Sequence, residues 1–220
     1  MSEAAFLQTA FNILWSPAAA AERAGRASLA LPLALLAVAG ALPSYVLLGR
    51  YGMTHLIQLR MNSTPDGLYP MGAFFFSALT WLAPFVLPVV ALACGWLLNL
   101  YVGFFLDTKT ARAEMLRLTA WGFLPLGLQK ALACGVELLC DDGCNRFNPL
   151  ATNAAFLLDT RQTEVFWYEL ARGMDLFAVW AIAITAIAIG ARYQRSTVAV
   201  AMGVALLYFV AVLLRSHLVG

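Results

Sequence analysis

A group of polar residues inside an apolar stretch is the part of this sequence best suited to chemistry. Lys130 lies near the middle of the apolar stretch 116–140, and Glu137 follows two helical turns later on the same face. A charge at that depth in a bilayer costs about 2.5–3.5 kcal/mol on insertion scales, so Lys130 should face the interior of a helix bundle and find a partner. The sequence therefore predicts an intramembrane polar cluster of Gln129, Lys130, Glu137 and Asp175.

The predicted cluster has two interpretations. It could pass an ion or a small polar substrate, or it could be a structural lock in which Lys130 extends toward the membrane surface and pairs with a carboxylate. The lock is the favoured interpretation. Replacement of Lys130 by Met separates them, since a folded protein without activity indicates passage and loss of the folded protein indicates the lock.

Two cysteines, Cys140 and Cys144, flank an Asp-Asp-Gly turn in the sequence CDDGC. In an oxidising compartment outside the membrane this spacing favours a small disulfide ring. Free thiols are the second interpretation. A metal site is the third, because it would have only two thiols and the histidines, His55 and His217, are remote in sequence.

The sequence contains no motif of a known catalytic or nucleotide-binding site. The P-loop, zinc-protease, serine-hydrolase and dinucleotide patterns are all missing, and serine and histidine are sparse. The net charge of +2 gives no reason to expect nucleic acid as a partner. The prediction is a protein that is not an enzyme and has no catalytic residue, no metal and no cofactor.

The elements that position these residues are predicted to be membrane helices. Hydrophobic residues make up 62% of the chain and charged residues 12%, roughly half the charged fraction of a soluble domain. Residues 1–15 contain Glu3 and lack the basic start of a signal peptide, so insertion by internal spans without processing is expected. The fold class predicted is all-α, a polytopic five-helix membrane bundle with a short interfacial N-terminal helix.

Uncharged windows long enough to cross the hydrocarbon locate the spans. The segment 67–106 could hold one long span or a tight hairpin, and one span is favoured because no Asn/Asp/Gly turn divides it. The domain division is an N-terminal segment, 1–26, followed by a membrane domain, 27–220. The spans are placed at about 27–49, 74–105, 116–140, 174–191 and 197–214.

The loops indicate orientation. The short loops 107–117 and 192–195 are basic and favour the cytoplasmic side. The long loop 141–173 carries five of the twelve acidic residues and suits the outer side. The chain is therefore predicted in the inner, cytoplasmic membrane with its N-terminus in the cytoplasm. Short helices are expected within the long loop at about 153–159 and 163–172.

The N-terminal segment has a helical pattern of its own. Residues 4–15 place apolar side chains on one face, and Ser16-Pro17 reads as the start of a second helix. The favoured interpretation is a helix lying in the cytoplasmic interface. The alternative is a helix that packs on the bundle.

Several segments together resemble the Yip1 family, in particular its small bacterial branch. They are WSPAAAAERAG before the first span, RAEMLRLTAWGFLPLGL where a basic loop enters a span, and NPLATNAAFLLD followed by ELARGMDLFAVWAIAITAIAIGARY. Their order and spacing over most of the chain carry the resemblance. It implies a five-helix bundle with a cytoplasmic N-terminus and supplies no catalytic residues to transfer.

The resemblance and the residues together suggest a function. Eukaryotic Yip1 relatives bind small GTPases in vesicle traffic, but this chain lacks their long cytoplasmic extension, so GTPase binding is not carried over. The expected function is a scaffold or accessory subunit that packs with other integral membrane proteins or with itself, or organises the lipid bilayer. The alternative is a small transporter or channel subunit with a polar site around Lys130.

Overall fold

Helices make up nearly all of the structure, a computed structural model that describes residues 3–61, 69–139, 150–158 and 163–219. Within these ranges the extended pairing is limited to one isolated antiparallel bridge between Asn153 and Asp175. The predicted all-α fold is confirmed. The helices are α1 Glu3–Trp15, α2 Pro17–Arg26, α3 Ala30–Met61, α4 Tyr69–Phe105, α5 Arg112–Gly122, α6 Leu124–Leu139, α7 Val165–Gly173, α8 Leu176–Tyr193 and α9 Thr197–Val219, with a 3₁₀ turn at Ala154–Leu157.

Three helical segments in the described ranges are long and apolar enough to cross a bilayer: Trp81–Phe105, Leu176–Tyr193 and Thr197–Leu214. A fourth is added if α2 and the first part of α3, Pro17–Arg26 and Ala30–Val46, count as one bent span. Over its described residues the chain is thus a helical protein with three or four membrane-length segments, and the five predicted spans are not confirmed.

The region 67–106 forms one helix over its described part. Helix α4 runs from Tyr69 to Phe105 and contains Pro84 and Pro88 without reversing direction. Helix α3 is less regular, because Gly52 has a φ of 71° and a ψ of 161° inside it. Glycine adopts a positive φ readily because it has no Cβ. Gly52 therefore interrupts α3 shortly after the predicted end of the first span.

The predicted third span, 116–140, differs from the structure, which divides this stretch into two helices. Helix α5 ends at Gly122, Phe123 follows as its C-cap, and α6 begins at Leu124. Pro125 lacks the N–H that would bond to the carbonyl of residue 121, and its ring crowds that carbonyl. The proline explains the break, and its side chain is buried.

The long loop contains short helices close to the predicted positions. The 3₁₀ turn at Ala154–Leu157 lies within the predicted 153–159, and α7, Val165–Gly173, matches the predicted 163–172. Helix α7 packs against α9, where the Tyr208 hydroxyl donates a 2.7 Å hydrogen bond to the Gly173 carbonyl. The loop therefore covers one end of the bundle.

The two N-terminal helices belong to the core. Helix α1 has nearly the predicted extent, and Ser16 precedes α2 as predicted, although its hydroxyl forms no capping bond. Ala20 and Ala24 of α2 are fully buried, and α2 packs on α8 and α5. The structure thus favours the alternative in which this segment packs on the bundle. The large core side chains around α2 include Ile13, Leu98, Met115, Leu118, Trp121 and Ile189.

Candidate functional site

A charged junction joins three helices at one end of the bundle. Glu114 lies in the first turn of α5, where the Arg192 Nε donates to its Oε1 at 2.6 Å and the Tyr193 hydroxyl donates to its Oε2 at 3.1 Å. The Glu114 side chain is 13% exposed and that of Arg192 37%. Both carboxylate oxygens are therefore used to hold α5 against the last turn of α8.

Helix α2 enters the same junction through Gly25. The Gly25 carbonyl accepts a 3.0 Å hydrogen bond from Arg117 Nη1, so a cation sits at the C-terminal end of α2, where the helix dipole favours it. A Cβ at Gly25 would lie 2.7 Å from Glu114 Oε1. A side chain at this position would require the Glu114 carboxylate to shift. We call Gly25, Glu114, Arg117, Arg192 and Tyr193 the basic junction.

The two loops beside the basic junction are tied to each other. Arg195, just after α8, donates from Nε to Thr108 Oγ1 at 2.6 Å and from Nη2 to the Asp107 carbonyl at 2.9 Å. Asp107 and Gln194 have left-handed backbones with φ of 45° and 51°, which turns the chain sharply at each loop. The predicted basic loops 107–117 and 192–195 therefore meet at one end of the molecule, which we call the basic end.

Asp175 has a structural role at the opposite end of α8. It is 4% exposed; its Oδ1 accepts from the Phe177 backbone N–H at 2.8 Å, and its Oδ2 accepts from the Thr152 hydroxyl at 2.7 Å. The first bond is an N-cap of α8. Backbone bonds from Ala154 N–H to the Met174 carbonyl and from Leu176 N–H to the Thr152 carbonyl, both 3.1 Å, complete the attachment of the loop.

The other members of the predicted polar cluster lie on α6. Gln129 is half-buried and Lys130 is exposed. Glu137 belongs to the same helix, but its side chain lies outside the described residues, as do Cys140 and Cys144. The structure brings α6 and α8 into contact, yet both Asp175 oxygens are engaged by Thr152 and Phe177. The predicted cluster and the predicted disulfide remain predictions.

The break between α5 and α6 lies against two buried threonines. Thr119 and Thr185 are fully buried, and neither hydroxyl has a hydrogen-bond partner among the described residues. A Cβ on Gly122 would collide with Thr185 Oγ1, and a Cβ on Gly95 would lie 3.3 Å from Thr119 Cβ. Helix α5 is thus held between α4 and α8 by close backbone approach on both sides.

The polar contacts of the described residues act mainly as structural joints. Within the parts of the chain that the structure describes, no group of three or more His, Cys, Asp or Glu residues could hold a metal ion. Cys94 and Cys134 lie on different helices and are not joined by a disulfide. The contacts of Glu114, Arg117, Asp175 and Arg195 join separate helices and loops.

Sequence reasoning missed the basic junction. The basic loops were recognised, but nothing in the pattern paired Glu114 with Arg192, which are 78 positions apart. The available signal was the single acidic residue in the first turn of a helix that starts in a basic loop.

Comparisons with protein-family models, with curated proteins and with solved structures each find no match for this chain. The resemblance to the Yip1 family therefore rests on the residues quoted for it.

Proposed function

We propose that this chain is a non-enzymatic, multi-pass protein of the cytoplasmic membrane, of the Yip1 type, with its N-terminus in the cytoplasm. It acts as a scaffold or accessory subunit that packs with other membrane proteins or with its own copies, or that organises the bilayer. One observation carries the proposal. The polar side chains bind one another between helices, and the outer surface that remains is apolar.

The polar contacts support this proposal because they are internal joints. Glu114 binds Arg192 and Tyr193, and Asp175 caps α8 while holding Thr152. Each carboxylate oxygen accepts a hydrogen bond from another element of the bundle, so these groups position helices.

The apolar outer surface also supports the proposed scaffold function. Exposed large apolar side chains run along α4 and α9, and in water such continuous patches would mark an interaction site or an aggregation hazard. In a bilayer the same side chains contact acyl chains or neighbouring helices. They include Trp81, Phe85, Val89, Trp96, Leu100 and Phe104 on α4, and Val198, Met202, Leu206, Phe209 and Leu214 on α9.

An apolar groove lies on the surface of α3. Its volume is about 310 Å³, and it is lined by Val38, Ala41, Leu42, Tyr45 and Val46. Tyr45 is braced by Trp81 of α4, with ring centroids 6.2 Å apart in an edge-on arrangement. Small and apolar side chains at such a groove favour close helix packing over binding of a polar solute.

A site-specific cross-link tests the accessory function. A diazirine analogue of leucine at position 42, in the groove, should cross-link to a discrete membrane protein or a second copy, which should also co-purify stoichiometrically in mild detergent. The matched control is the same analogue at position 36, because Leu36 lies on the same helix and is fully buried. A chain that purifies alone and cross-links only to lipid would contradict the scaffold function.

The alternative function, a small transporter or channel subunit, is favoured by a different observation. The break at Phe123 lies beside the unpaired hydroxyls of Thr119 and Thr185, and Lys130 follows in the next helix. Transporters often place polar sites at such discontinuous helices near the middle of the membrane. Solute flux through liposomes that contain only this protein, lost in a folded Lys130→Met variant, would support this alternative over the first.

A further inference from the structure

The loop between α4 and α5 meets the turn after α8 at the basic end. Arg195 donates from Nε to Thr108 Oγ1 at 2.6 Å and from Nη2 to the Asp107 carbonyl at 2.9 Å. Lys109 follows Thr108 directly, so the bonds of Arg195 bring these two cations to adjoining parts of the surface. Arg112 comes three residues later, as the first residue of α5. We call Lys109, Arg112 and Arg195 the cationic patch.

The charge of the cationic patch is not balanced by the protein around it. All three side chains are exposed. Arg195 bonds to a hydroxyl and a carbonyl, which are neutral, and among the described residues Lys109 and Arg112 form no ion pair and no side-chain hydrogen bond. Asp107 is the one acidic residue in 106–112, so this segment and Arg195 together carry a net charge of 3 − 1 = +2. An anion at this surface therefore meets uncompensated positive charge.

The position of Arg112 adds to the preference for an anion. It begins α5, and the backbone N–H groups and the dipole of a helix give its N-terminal end a partial positive charge. The preceding residue, Ala111, supplies no side-chain cap. Glu114 is the acidic residue of this first turn, and its oxygens are bound by Arg192 and Tyr193. The start of α5 therefore adds positive potential to the cationic patch.

Large apolar side chains adjoin the cationic patch. Phe104 and Phe105, the last two residues of α4, are 83% and 69% exposed, and Val198 in the first turn of α9 is 69% exposed. The Tyr101 hydroxyl donates a 3.0 Å hydrogen bond to the Ala199 carbonyl, and the Tyr101 ring centroid lies 5.4 Å from that of Phe105. The end of α4 is therefore fastened to the first turn of α9. Apolar and cationic side chains lie side by side here, an arrangement that fits an amphiphile with an anionic head.

The three membrane-length segments of the described ranges all reach the cationic patch. Trp81–Phe105 ends two residues before Asp107, Leu176–Tyr193 ends two residues before Arg195, and Thr197–Leu214 begins two residues after Arg195. Under the proposed membrane function, these are the points at which the helices leave the hydrocarbon. The cationic patch then lies at the level of the lipid head groups, and the aromatic end of α4 lies next to the acyl chains.

We propose that the cationic patch binds the head group of an anionic phospholipid from the leaflet at the basic end, with an acyl chain against Phe104 and Phe105. Guanidinium and ammonium groups donate charge-assisted hydrogen bonds to phosphate oxygens. Phosphatidylglycerol keeps a net negative charge, whereas the ammonium group of phosphatidylcholine cancels the charge of its phosphate. The inference rests on the proposed membrane function and names a lipid partner for it.

Native mass spectrometry of the detergent-purified full chain tests the lipid site, with phosphatidylglycerol and phosphatidylcholine of the same acyl chains titrated separately. Lys109→Gln and Arg112→Gln should each weaken phosphatidylglycerol binding by about fivefold, because a cation beside an anionic head group contributes about 1 kcal/mol. Binding of phosphatidylcholine should not change. The matched control is Arg26→Gln, which removes a cation of the same end that already pairs with Glu22 at 2.8 Å. This variant should weaken phosphatidylglycerol binding by less than about twofold.

Both test variants should fold, because the side chains that they replace are exposed, and circular dichroism checks this. Unchanged phosphatidylglycerol affinity in Lys109→Gln and Arg112→Gln overturns the proposal. An equal loss in Arg26→Gln also overturns it, since that result indicates attraction to net charge without a local site. Inorganic phosphate at the concentration of the lipid should not displace phosphatidylglycerol, and displacement would show a site for small anions instead. None of these outcomes depends on the accessory function, which the cross-link at position 42 tests separately.

Discussion

At the scale of single residues, the structure depends on a few polar contacts and close glycines. Glu114 is the main example, because its two oxygens receive Arg192 and Tyr193 while its Oε1 sits against Gly25. A partly buried carboxylate with two donors contributes more than an exposed ion pair, whose median value is about 0–1 kcal/mol. The sequence contains these residues but does not indicate which of them contact one another.

A double-mutant cycle measures the Glu114–Arg192 pair. Glu114→Gln and Arg192→Gln should each lower the free energy of unfolding, with a coupling of about 1 kcal/mol, because Arg192 is partly exposed and solvent screens the charge. Unfolding in mixed micelles gives the energies. The Glu22–Arg26 pair is the control, since its side chains are 65% and 74% exposed and its coupling should be near zero. Equal couplings for the two pairs would contradict the role of burial.

Gly122→Ala tests the contact between α5 and α8. The new Cβ would collide with Thr185 Oγ1 and lie 3.1 Å from the Thr185 Cα, so we expect a loss of about 1–3 kcal/mol from overpacking. Gly135→Ala on α6 is the control, because nothing lies within 4 Å of its Cβ position. There alanine should be neutral or stabilising, since it favours the helix. Thermal unfolding in detergent compares the two variants with the wild type. An unchanged unfolding midpoint for Gly122→Ala would refute close packing of α5 against α8.

At the scale of elements, local sequence signals determine the position of some helices, and long-range packing determines the others. The sequence located α1, α7 and the 3₁₀ turn because each follows a short apolar or capping pattern. It joined α5 and α6 into one span because the apolar stretch 116–140 is long enough to cross a bilayer. Pro125 was visible, but proline often only bends a membrane helix.

The cap of α8 is tested by Asp175→Ala. Loss of both the N-cap bond and the Thr152 bond should destabilise the start of α8 by about 1–2 kcal/mol and free the loop for trypsin cleavage at Arg172. Asp175→Asn keeps an acceptor for the Phe177 N–H and should have the smaller effect. Cleavage rates in native membranes provide the measurement. Equal cleavage of wild type and Asp175→Ala would show that the cap does not hold the loop.

At the scale of the whole molecule, the clustering of cations at one end supports the proposed orientation. Arg192, Arg195 and Arg117 are drawn together with α2 by their contacts, and Arg23, Lys109 and Arg112 lie exposed in the same three segments. Short basic segments of this kind stay on the cytoplasmic side of a membrane.

Labelling with a membrane-impermeant maleimide tests that orientation. In intact cells a cysteine in place of exposed Lys109 should remain unlabelled, and one in place of exposed Glu164 should react. Permeabilised cells, in which both positions should react, serve as the control. The reverse pattern would place the basic end outside and overturn the proposed cytoplasmic N-terminus.

The sequence by itself determined that this chain is helical and that bilayer-length apolar segments dominate it, because composition and uncharged runs depend only on local residue content. It also located most helix ends where a cap, a proline or a loop signal exists. Only the tertiary structure decided that α2 is a buried core helix, that α5 and α6 are separate, and that Asp175 is a cap. The physical reason is that an alanine-rich helix and a lone carboxylate are defined by their neighbours, and those neighbours come from distant parts of the chain.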